Sequence, residues 1–404
     1  MDSANIGKNI AALRKKCGLT QNALAEKLGV SNKAVSRWES GRGYPDISAF
    51  PALASVFGVT VDYLMLGERK GITIAGNLIA DVVKNIEVYP KIGMLTNISE
   101  VSYAVGGCAA NTSIDLAKID SSLPVSVLGM VGNDSDGRFI LSQLEKYNIT
   151  TRGISLTSDE QTSFCDVMSM PSGERTFFHK KGANAIFSPD DIDISSLNCN
   201  ILHIGYILLL DKFDAPDEKY GTVMARFLCD VQKCGIKTSV DVVSSACGDY
   251  GAKILPALKY CNYAIMNELE ACEIFNLSAY REDETINKDN VKFAMRSMAE
   301  AGVSEKVIVH SKYVSFILDV QSGELCEVAS LKIPGEFIKG SVGAGDAFCA
   351  GCLYGLYCGF PDRKILEFAS SAAACNLFAA NSVDGMRSKE EIEKLSCEFE
   401  RIKI

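Results

Sequence analysis

The chain has 404 residues, 47% of them hydrophobic, and a net charge of −9. This length exceeds one average domain, and no run is apolar enough to span a bilayer, so we expect two or more domains and no membrane anchor. The first twenty residues lack the apolar core of a secretory signal, which predicts a cytoplasmic location and reduced cysteines.

The 15 cysteines are scattered through apolar segments, and one pair, Cys349 and Cys352, has C-x-x-C spacing. The sequence has no second pair of this kind, and its histidines lie far away along the chain (His179, His203 and His310). We therefore expect these cysteines to pack in the core rather than to form a zinc or redox site.

The N-terminal segment differs from the rest of the chain in charge and pattern. Residues 1–68 carry a net charge of +2 and the remainder −11, which favours a nucleic-acid contact confined to the N-terminal part. Apolar residues there recur at helical spacing. Thr20 and Ser31 are typical N-caps and predict one helix from Gln21 and another over residues 32–39. Two short helices joined by a tight turn form a helix-turn-helix pattern.

The stretch LTQNALAEKLGVSNKAVSRWESGRGYPD resembles the XRE, or lambda-repressor-like, helix-turn-helix family, and the resemblance covers residues 5–66. It implies that the second helix reads the major groove and that Gln21 binds a DNA phosphate. Asn suits an adenine edge, and Lys or Arg suits guanine. The expected contacts are Asn32, Lys33, Ser36 and Arg37. A partner-binding module is the alternative. One such helix-turn-helix domain binds DNA weakly, so a homodimer on paired half-sites is expected.

From residue 72 onward, short apolar runs alternate with helical patterns, which indicates a mostly parallel sheet covered by helices on both faces. Ligands of such sheets bind beyond the carboxyl ends of the strands, so polar residues there are candidate site residues. The predicted strands are 72–76, 125–132, 201–205, 238–243, 263–267 and 307–310. The predicted helices are 109–119, 136–147, 218–234, 268–276, 290–301 and 346–358.

Polar and glycine-rich motifs follow these strands in a fixed order. They include VGGCAANTSIDLAKI, KKGANAIF, MNELEA and KGSVGAGDAFCAG. In this order and spacing they resemble the ribokinase/PfkB family of carbohydrate kinases, across nearly all of residues 72–404. The resemblance implies an α/β ribokinase-like fold, ATP and Mg²⁺ as cofactors, and a small β lid at about 150–181. The implied sugar-binding residues are Asn77, Asp81, Gly107, Asn111 and Asn184.

The chemistry of sugar phosphorylation matches the residue types of the glycine-rich loop. Asp346 is its only carboxylate, lies at a helix start, and can accept the proton of a hydroxyl group. Backbone amides can donate to the phosphoryl oxygens as an anion hole, from Gly343, Ala344 and Gly345. A tight turn with a capping aspartate is the structural alternative. Asn267 and Glu270 lie one helical turn apart, and the resemblance implies that they hold magnesium-bound water.

Two segments depart from the family pattern. Gly340 stands where relatives have an aspartate that helps to hold a monovalent cation, so the resemblance does not carry activation by potassium over to this chain. Within residues 307–316, Lys312 and Tyr313 replace glycines that line the nucleotide site in relatives. These two side chains either alter the nucleotide pocket or pack over it.

The two resemblances divide the chain into a DNA-binding domain at 1–68, a linker at 69–71 and a kinase domain at 72–404. Three functions remain open: an active sugar kinase with a DNA-binding domain, a sugar-sensing regulator that has lost turnover, and a kinase with a partner-binding module. The retained base favours the first function. The substrate stays open among ribose, fructose, a keto-sugar acid and a nucleoside such as pseudouridine.

Overall fold

The computed structural model describes residues 3–59, 61–66, 69–171, 174–244 and 250–403. The chain divides into two compact units, Met1–Lys70 and Gly71–Ile404, which we call the head and the body. Within the described residues, no helix has both the length and the apolarity needed to cross a bilayer.

The described part of the head consists of five helices around a small apolar core. Leu24, Val35 and Leu53 are completely buried in that core. Both predicted N-caps are confirmed, since Thr20 Oγ1 accepts the Ala23 amide at 3.1 Å and Ser31 Oγ accepts the Ala34 amide at 3.2 Å. The helices are α1 (Ser3–Lys16), α2 (Gln21–Leu28), α3 (Asn32–Glu39), α4 (Ala49–Phe57) and α5 (Val61–Leu66).

An ion pair fixes the start of α2 against α1 and α3. Arg14 Nε donates to Glu39 Oε1 at 2.6 Å, and Gln21 Nε2 donates to Glu39 Oε2 at 2.7 Å. Burial raises the pKa of Glu39, but the bonds from Arg14 and Gln21 outweigh it and leave the pKa below its usual value. The ionised Glu39 carboxylate of α3 therefore links this helix to α1 and α2.

The body is built on a nine-stranded sheet within its described residues, in the order β15-β14-β13-β12-β11-β8-β1-β4-β5. All neighbours from β5 to β13 run parallel, and β14 and β15 add an antiparallel hairpin at one edge. The strands are β1 (Ile72–Ala75), β2 (Ile79–Ile86), β3 (Ile98–Gly106), β4 (Val125–Gly132), β5 (Thr150–Thr157), β6 (Phe164–Ser169), β7 (Arg175–Lys180), β8 (Ile201–Ile207), β9 (Pro216–Asp217), β10 (Gly221–Thr222), β11 (Lys237–Val242), β12 (Tyr263–Asn267), β13 (Lys306–His310), β14 (Val314–Asp319) and β15 (Leu325–Ala329).

Helices cover both faces of this sheet, and each face has its own hydrophobic core. Along β12, Tyr263 and Ile265 pack into one core, whereas Ala264 and Met266 pack into the other, as the alternation of a strand requires. The helices are α6 (Cys108–Ile119), α7 (Ser135–Lys146), α8 (Ala183–Ile186), α9 (Val223–Lys233), α10 (Tyr250–Leu258), α11 (Glu268–Glu273), α12 (Lys288–Ala301), α13 (Ala344–Cys358), α14 (Asp362–Asn376) and α15 (Lys389–Glu398). The helix predicted over 218–234 starts later because β9 and β10 form a hairpin before it.

A second, four-stranded sheet has the order β3-β2-β6-β7. The prediction of a lid at 150–181 is wrong in part, because β5 pairs in parallel with β4 and belongs to the main sheet. Half of the small sheet comes instead from β2 and β3, which precede the predicted range and pair antiparallel with each other. Alternating polarity marks a strand, but it does not tell which sheet the strand joins.

Candidate active site

The carboxyl ends of the central strands and the start of α13 enclose a cavity of about 220 Å³. This is the position at which an open parallel sheet binds ligands. The helix contributes its N-terminal end, where backbone amides point outward and favour an anion. Polar groups line the cavity. They include the side chains of Asp241, Asn267, Glu270, His310 and Asp346 and the backbone of Gly345.

Asp346 lies in the first turn of α13 and is 5% exposed. Its Oδ2 accepts a hydrogen bond from Asn111 Nδ2 at 2.8 Å, and its Oδ1 accepts one from the Tyr206 hydroxyl at 3.1 Å. Burial raises the pKa of Asp346 to about 6, against the opposing effect of the bond from Asn111. The carboxylate is thus fixed in orientation and is ionised at neutral pH.

The glycine-rich loop reaches α13 through a conformation that requires glycine. Gly343 has φ +79°, and a β-carbon there would lie 2.7 Å from Ser382. At Gly345 such an atom would meet nothing closer than His310, at 3.8 Å, so this part of the loop faces open space. The Ala344 amide donates to the Ser341 carbonyl at 3.2 Å, which leaves Gly343 and Gly345 as the freer donors of the predicted anion hole.

A diglycine brings two predicted sugar-binding residues against the start of α6. A β-carbon on Gly107 would lie 2.3 Å from the Asn77 carbonyl oxygen, and one on Gly106 would lie 2.3 Å from Asp81 Oδ2. Asn77 is completely buried, yet neither its amide oxygen nor its amide nitrogen has a partner among the described residues. The Asn111 amide oxygen is likewise unpartnered. Buried polar atoms of this kind indicate a bound ligand or water.

Asp81 lies on β2 and is largely buried. Burial and the charge of Asp346 raise its pKa to about 7, whereas Arg175 opposes this shift. Asn184 differs from the other predicted residues. Its amide oxygen accepts the Leu78 N–H at 3.2 Å and its amide nitrogen donates to the Leu78 carbonyl at 3.1 Å. Asn184 therefore fixes the backbone beside Asn77, and its predicted contact with a sugar would have to use the remaining amide hydrogen or oxygen lone pair.

Asn267 and Glu270 form a capping box at the start of α11 and also line the cavity. Asn267 Oδ1 accepts the Glu270 amide at 2.9 Å, and Glu270 Oε1 accepts the Ser244 hydroxyl at 2.9 Å. Burial raises the pKa of Glu270 to about 7, and the charges of Asp241 and Glu268 add to the shift. The Glu270 carboxylate and the Asn267 amide oxygen are both at the cavity and are of the ligand type that Mg²⁺ prefers, so the two residues fit a divalent cation bound directly or through water.

A second cavity of about 260 Å³ adjoins the first and is lined by His310, Lys312, Phe348 and residues of α14. Burial lowers the pKa of His310 to about 4, so its ring is neutral, and it packs 4.5 Å from the ring of Phe348. Of the two residues that replace family glycines, Lys312 lines this cavity. Tyr313 lines a different surface depression.

The sequence predictions missed three groups around Asp346. Tyr206, 140 residues before Asp346 in the chain, donates its hydroxyl to that carboxylate, and His203 Nε2 lies 3.4 Å from Asp241 Oδ2. Asp241 Oδ1 accepts the Tyr206 amide at 2.5 Å. Tyr206 has φ +59°, so this bond helps to hold a backbone conformation unusual for a tyrosine. Asp241 lies inside the predicted strand TSVDVV, two residues before its end, and a carboxylate near the carboxyl end of an apolar run is the signal that could have identified it.

In the head, four of the predicted DNA contacts share the exposed face of α3, namely Asn32, Lys33, Ser36 and Arg37. Arg37 Nε donates to the Arg42 carbonyl at 3.1 Å, which leaves its terminal nitrogens for other partners. Gln21 is different because its side-chain amide donates to Glu39. Its predicted phosphate contact would have to use the remaining amide hydrogen.

Comparison with known proteins agrees with this geometry. The family model for pfkB family carbohydrate kinases matches residues 71–388. The chain belongs to the pfkB family of carbohydrate kinases. The predicted fold class and the predicted enzyme class, an ATP-dependent carbohydrate kinase, are thereby confirmed. A helix-turn-helix family model matches residues 10–64, which confirms the second resemblance.

Individual relatives support each unit of this pfkB family member separately. A ribokinase of Schizosaccharomyces pombe is 22% identical over 330 residues, which are 80% of this chain and 96% of that protein. The HTH-type transcriptional activator BcrR of Enterococcus faecalis is 44% identical over 62 residues, which are 15% of this chain and 30% of the activator. The structure of Arabidopsis thaliana ribokinase complexed with ribose and ATP has 21% identity and a TM-score of 0.66, and covers 81% of this chain and 99% of that one.

Proposed function

We propose that this protein transfers the terminal phosphoryl group of ATP to a sugar hydroxyl, with Asp346 as the general base. The observation that carries the proposal is the position of Asp346. Its carboxylate is buried at the N-terminal end of α13, is held by Asn111 and Tyr206, and lies beside the glycine amides in a 220 Å³ cavity. A solely structural capping aspartate would not need partners from two distant segments.

In the proposed reaction, the sugar hydroxyl gives its proton to Asp346 as its oxygen bonds to the terminal phosphorus. The bond from that phosphorus to the bridging oxygen breaks, and ADP leaves. The amides of Gly343 and Gly345 donate to the phosphoryl oxygens and stabilise their charge. Asn77, Asp81 and Asn111 orient the sugar. A bound Mg²⁺ would neutralise phosphate charge, and Asn267 and Glu270 are the residues placed to hold it.

A coupled assay of ADP release, over a panel of ribose, fructose, keto-sugar acids and nucleosides, tests this proposal. We expect substrate-dependent turnover that Asp346→Asn lowers by about 10²–10⁴-fold while sugar binding persists. Absence of turnover on every compound, with sugar binding retained, would instead favour a sugar sensor without catalysis. The sugar-binding residues named above are compatible with several polyols. The substrate is therefore identified by the compound of the panel that gives the highest turnover.

We further propose that the head binds double-stranded DNA as part of a homodimer and links sugar metabolism to transcription. The support is the exposed face of α3, which presents Asn32, Lys33, Ser36 and Arg37. Selection of duplexes from a random-sequence library by the full chain tests it. We expect one enriched sequence with paired half-sites, and Lys33→Ala should reduce the affinity. A library without enrichment would argue for a protein-binding head.

A further inference from the structure

A cluster of three potential metal ligands lies behind the catalytic aspartate. His203 on β8, Asp241 on β11 and Cys349 on α13 place one ligand atom each within 4.8 Å of the other two. Cys349 Sγ is 3.6 Å from His203 Nε2, and His203 Nε2 is 3.4 Å from Asp241 Oδ2. The cysteine and the histidine are 146 residues apart, so the sequence alone gave no reason to join them.

These separations match those of a tetrahedral zinc site. With Zn–S of about 2.3 Å and Zn–N or Zn–O of about 2.0–2.2 Å, neighbouring ligand atoms lie about 3.3–3.6 Å apart. Ordinary close packing of a thiol against an imidazole does not require the carboxylate oxygen to approach the same nitrogen. His203 Nε2 therefore already has the spacing of such a site to both of its neighbours, and the thiol and the carboxylate lie within 4.8 Å of each other.

The surroundings of the cluster also suit a metal. His203 Nδ1 is 2.9 Å from Ser239 Oγ, and Ser239 lies directly opposite His203 in the β8–β11 register. When this hydroxyl accepts the Nδ1 proton, the Nε2 lone pair faces the thiol and the carboxylate. Asp241 uses Oδ1 for the Tyr206 amide, which leaves Oδ2 for an ion.

The ligand types separate this cluster from the magnesium site. One thiolate, one imidazole and one carboxylate favour Zn²⁺ or a similar soft cation, whereas Mg²⁺ prefers oxygen ligands. All three residues are at most 7% exposed, but Asp241 and Cys349 line the catalytic cavity. An ion can therefore enter from the cavity, and the fourth coordination position is left to water.

We propose that His203, Asp241 and Cys349 form a binding site for a soft divalent cation of the Zn²⁺ type, and that the bound ion inhibits the kinase. Binding forms three metal–ligand bonds and releases the thiol proton to water. Cys349 lies one helical turn after Asp346, so the positive ion would weaken the proton affinity of the base. The inhibitory part rests on the proposed function, whereas the binding part does not.

Titration of the chelator-treated full chain with Co²⁺ alone tests the binding part. We expect wild type to show the near-ultraviolet absorption of a cobalt–thiolate bond, and Zn²⁺ to abolish it by displacing the cobalt. Cys349→Ala and His203→Gln should each weaken cobalt binding at least about tenfold. Cys352→Ala is the matched control, since Cys352 is a buried cysteine on the same helix outside the cluster, and it should bind cobalt like wild type.

Three cysteines in the described part of the chain are exposed, namely Cys17, Cys358 and Cys397. They remain in every variant and cannot account for a difference between the variants. The binding proposal is overturned if wild type lacks the thiolate absorption, or if folded Cys349→Ala and His203→Gln retain it. ADP release then tests inhibition. One equivalent of Zn²⁺ should slow wild type and Cys352→Ala but not His203→Gln, and equal rates with and without Zn²⁺ in cobalt-binding protein would remove the regulatory part alone.

Discussion

Two opposing effects, burial and a hydrogen bond, bring the pKa of Asp346 close to neutral pH. Burial raises the pKa, the bond from Asn111 lowers it, and the outcome is about 6. A base must be unprotonated to accept the hydroxyl proton, so we predict that kcat is constant above about pH 7 and falls as pH drops through about 6. A pH–rate profile of ADP release at saturating sugar and ATP measures this.

Asp346→Asn is the control for that profile because it keeps the shape of the side chain and removes the basic group. We expect kcat to fall by about 10²–10⁴-fold, the usual contribution of a general base, and the residual rate to lose its dependence on pH near 6. An unchanged acidic limb in this variant would assign the titration to another group, such as Asp81.

Asn77 and Asn184 are two buried asparagines whose substitution should affect different properties, sugar affinity for the first and stability for the second. Both are completely buried, but Asn184 bonds to the backbone of Leu78 whereas Asn77 has no partner among the described residues. We predict that Asn184→Ala destabilises the body by about 1–3 kcal/mol, because a buried amide loses its bond. Asn77→Ala should instead raise KM for the sugar about two- to twelvefold, which corresponds to the loss of one hydrogen bond worth about 0.5–1.5 kcal/mol.

Calorimetric unfolding and steady-state kinetics, applied to both variants, separate these two roles. A loss of stability in Asn77→Ala equal to that in Asn184→Ala, with an unchanged KM, would show that Asn77 is a structural residue. The comparison is matched because both substitutions remove the same amide from a site without solvent access.

At the scale of elements, the N-cap of α3 offers a test confined to the head. Ser31 Oγ accepts the Ala34 amide, whereas Ser48, at the same position of α4, makes no side-chain cap bond. We predict that Ser31→Ala lowers the unfolding free energy of the head by about 1 kcal/mol and that Ser48→Ala lowers it less. The chain contains one tryptophan, Trp38, which is buried in the head, so its fluorescence during urea unfolding reports this unit alone.

Equal shifts in the two variants would mean that the Ser31 cap contributes nothing beyond the loss of a surface hydroxyl. The fluorescence midpoint of Asn184→Ala provides a second control. That substitution lies in the body, so it should leave the Trp38 transition where it is in wild type.

Elements with a strong local pattern could be predicted from the sequence. The strands at 125–132 and 263–267 and the helix at 32–39 were predicted with the bounds that the structure shows. Their ends carry local signals, such as the Ser31 cap. The pairing of strands carries no such signal, and for this reason the lid was assigned to residues 150–181 although β5 joins the main sheet. The edge strands β14 and β15 and the lid strands β2 and β3 were not predicted.

At the scale of the whole molecule, the order of motifs indicated which residues take part in the site but not how they touch. Asn111 and Asp346 were both predicted as site residues, yet their bond across 235 residues follows only from the fold. Tyr206 was missed because nothing in its local sequence distinguishes it from an ordinary strand residue, and Asp241 because a single carboxylate near the end of an apolar run is a weak signal. Contacts across the sheet are a property of the topology and cannot be obtained from spacing along the chain.

The last prediction concerns the head and the body together. If sugar binding changes the affinity of the full chain for its DNA site, linkage requires DNA to change the affinity for sugar by the same factor. We predict a factor of about five or more, measured as DNA affinity with and without saturating substrate and a non-hydrolysable ATP analogue, and as sugar affinity with and without DNA. Lys33→Ala, which weakens DNA binding, should leave the sugar affinity in the absence of DNA unchanged. Equal DNA affinities in the two conditions would show that the two functions share a chain without thermodynamic coupling.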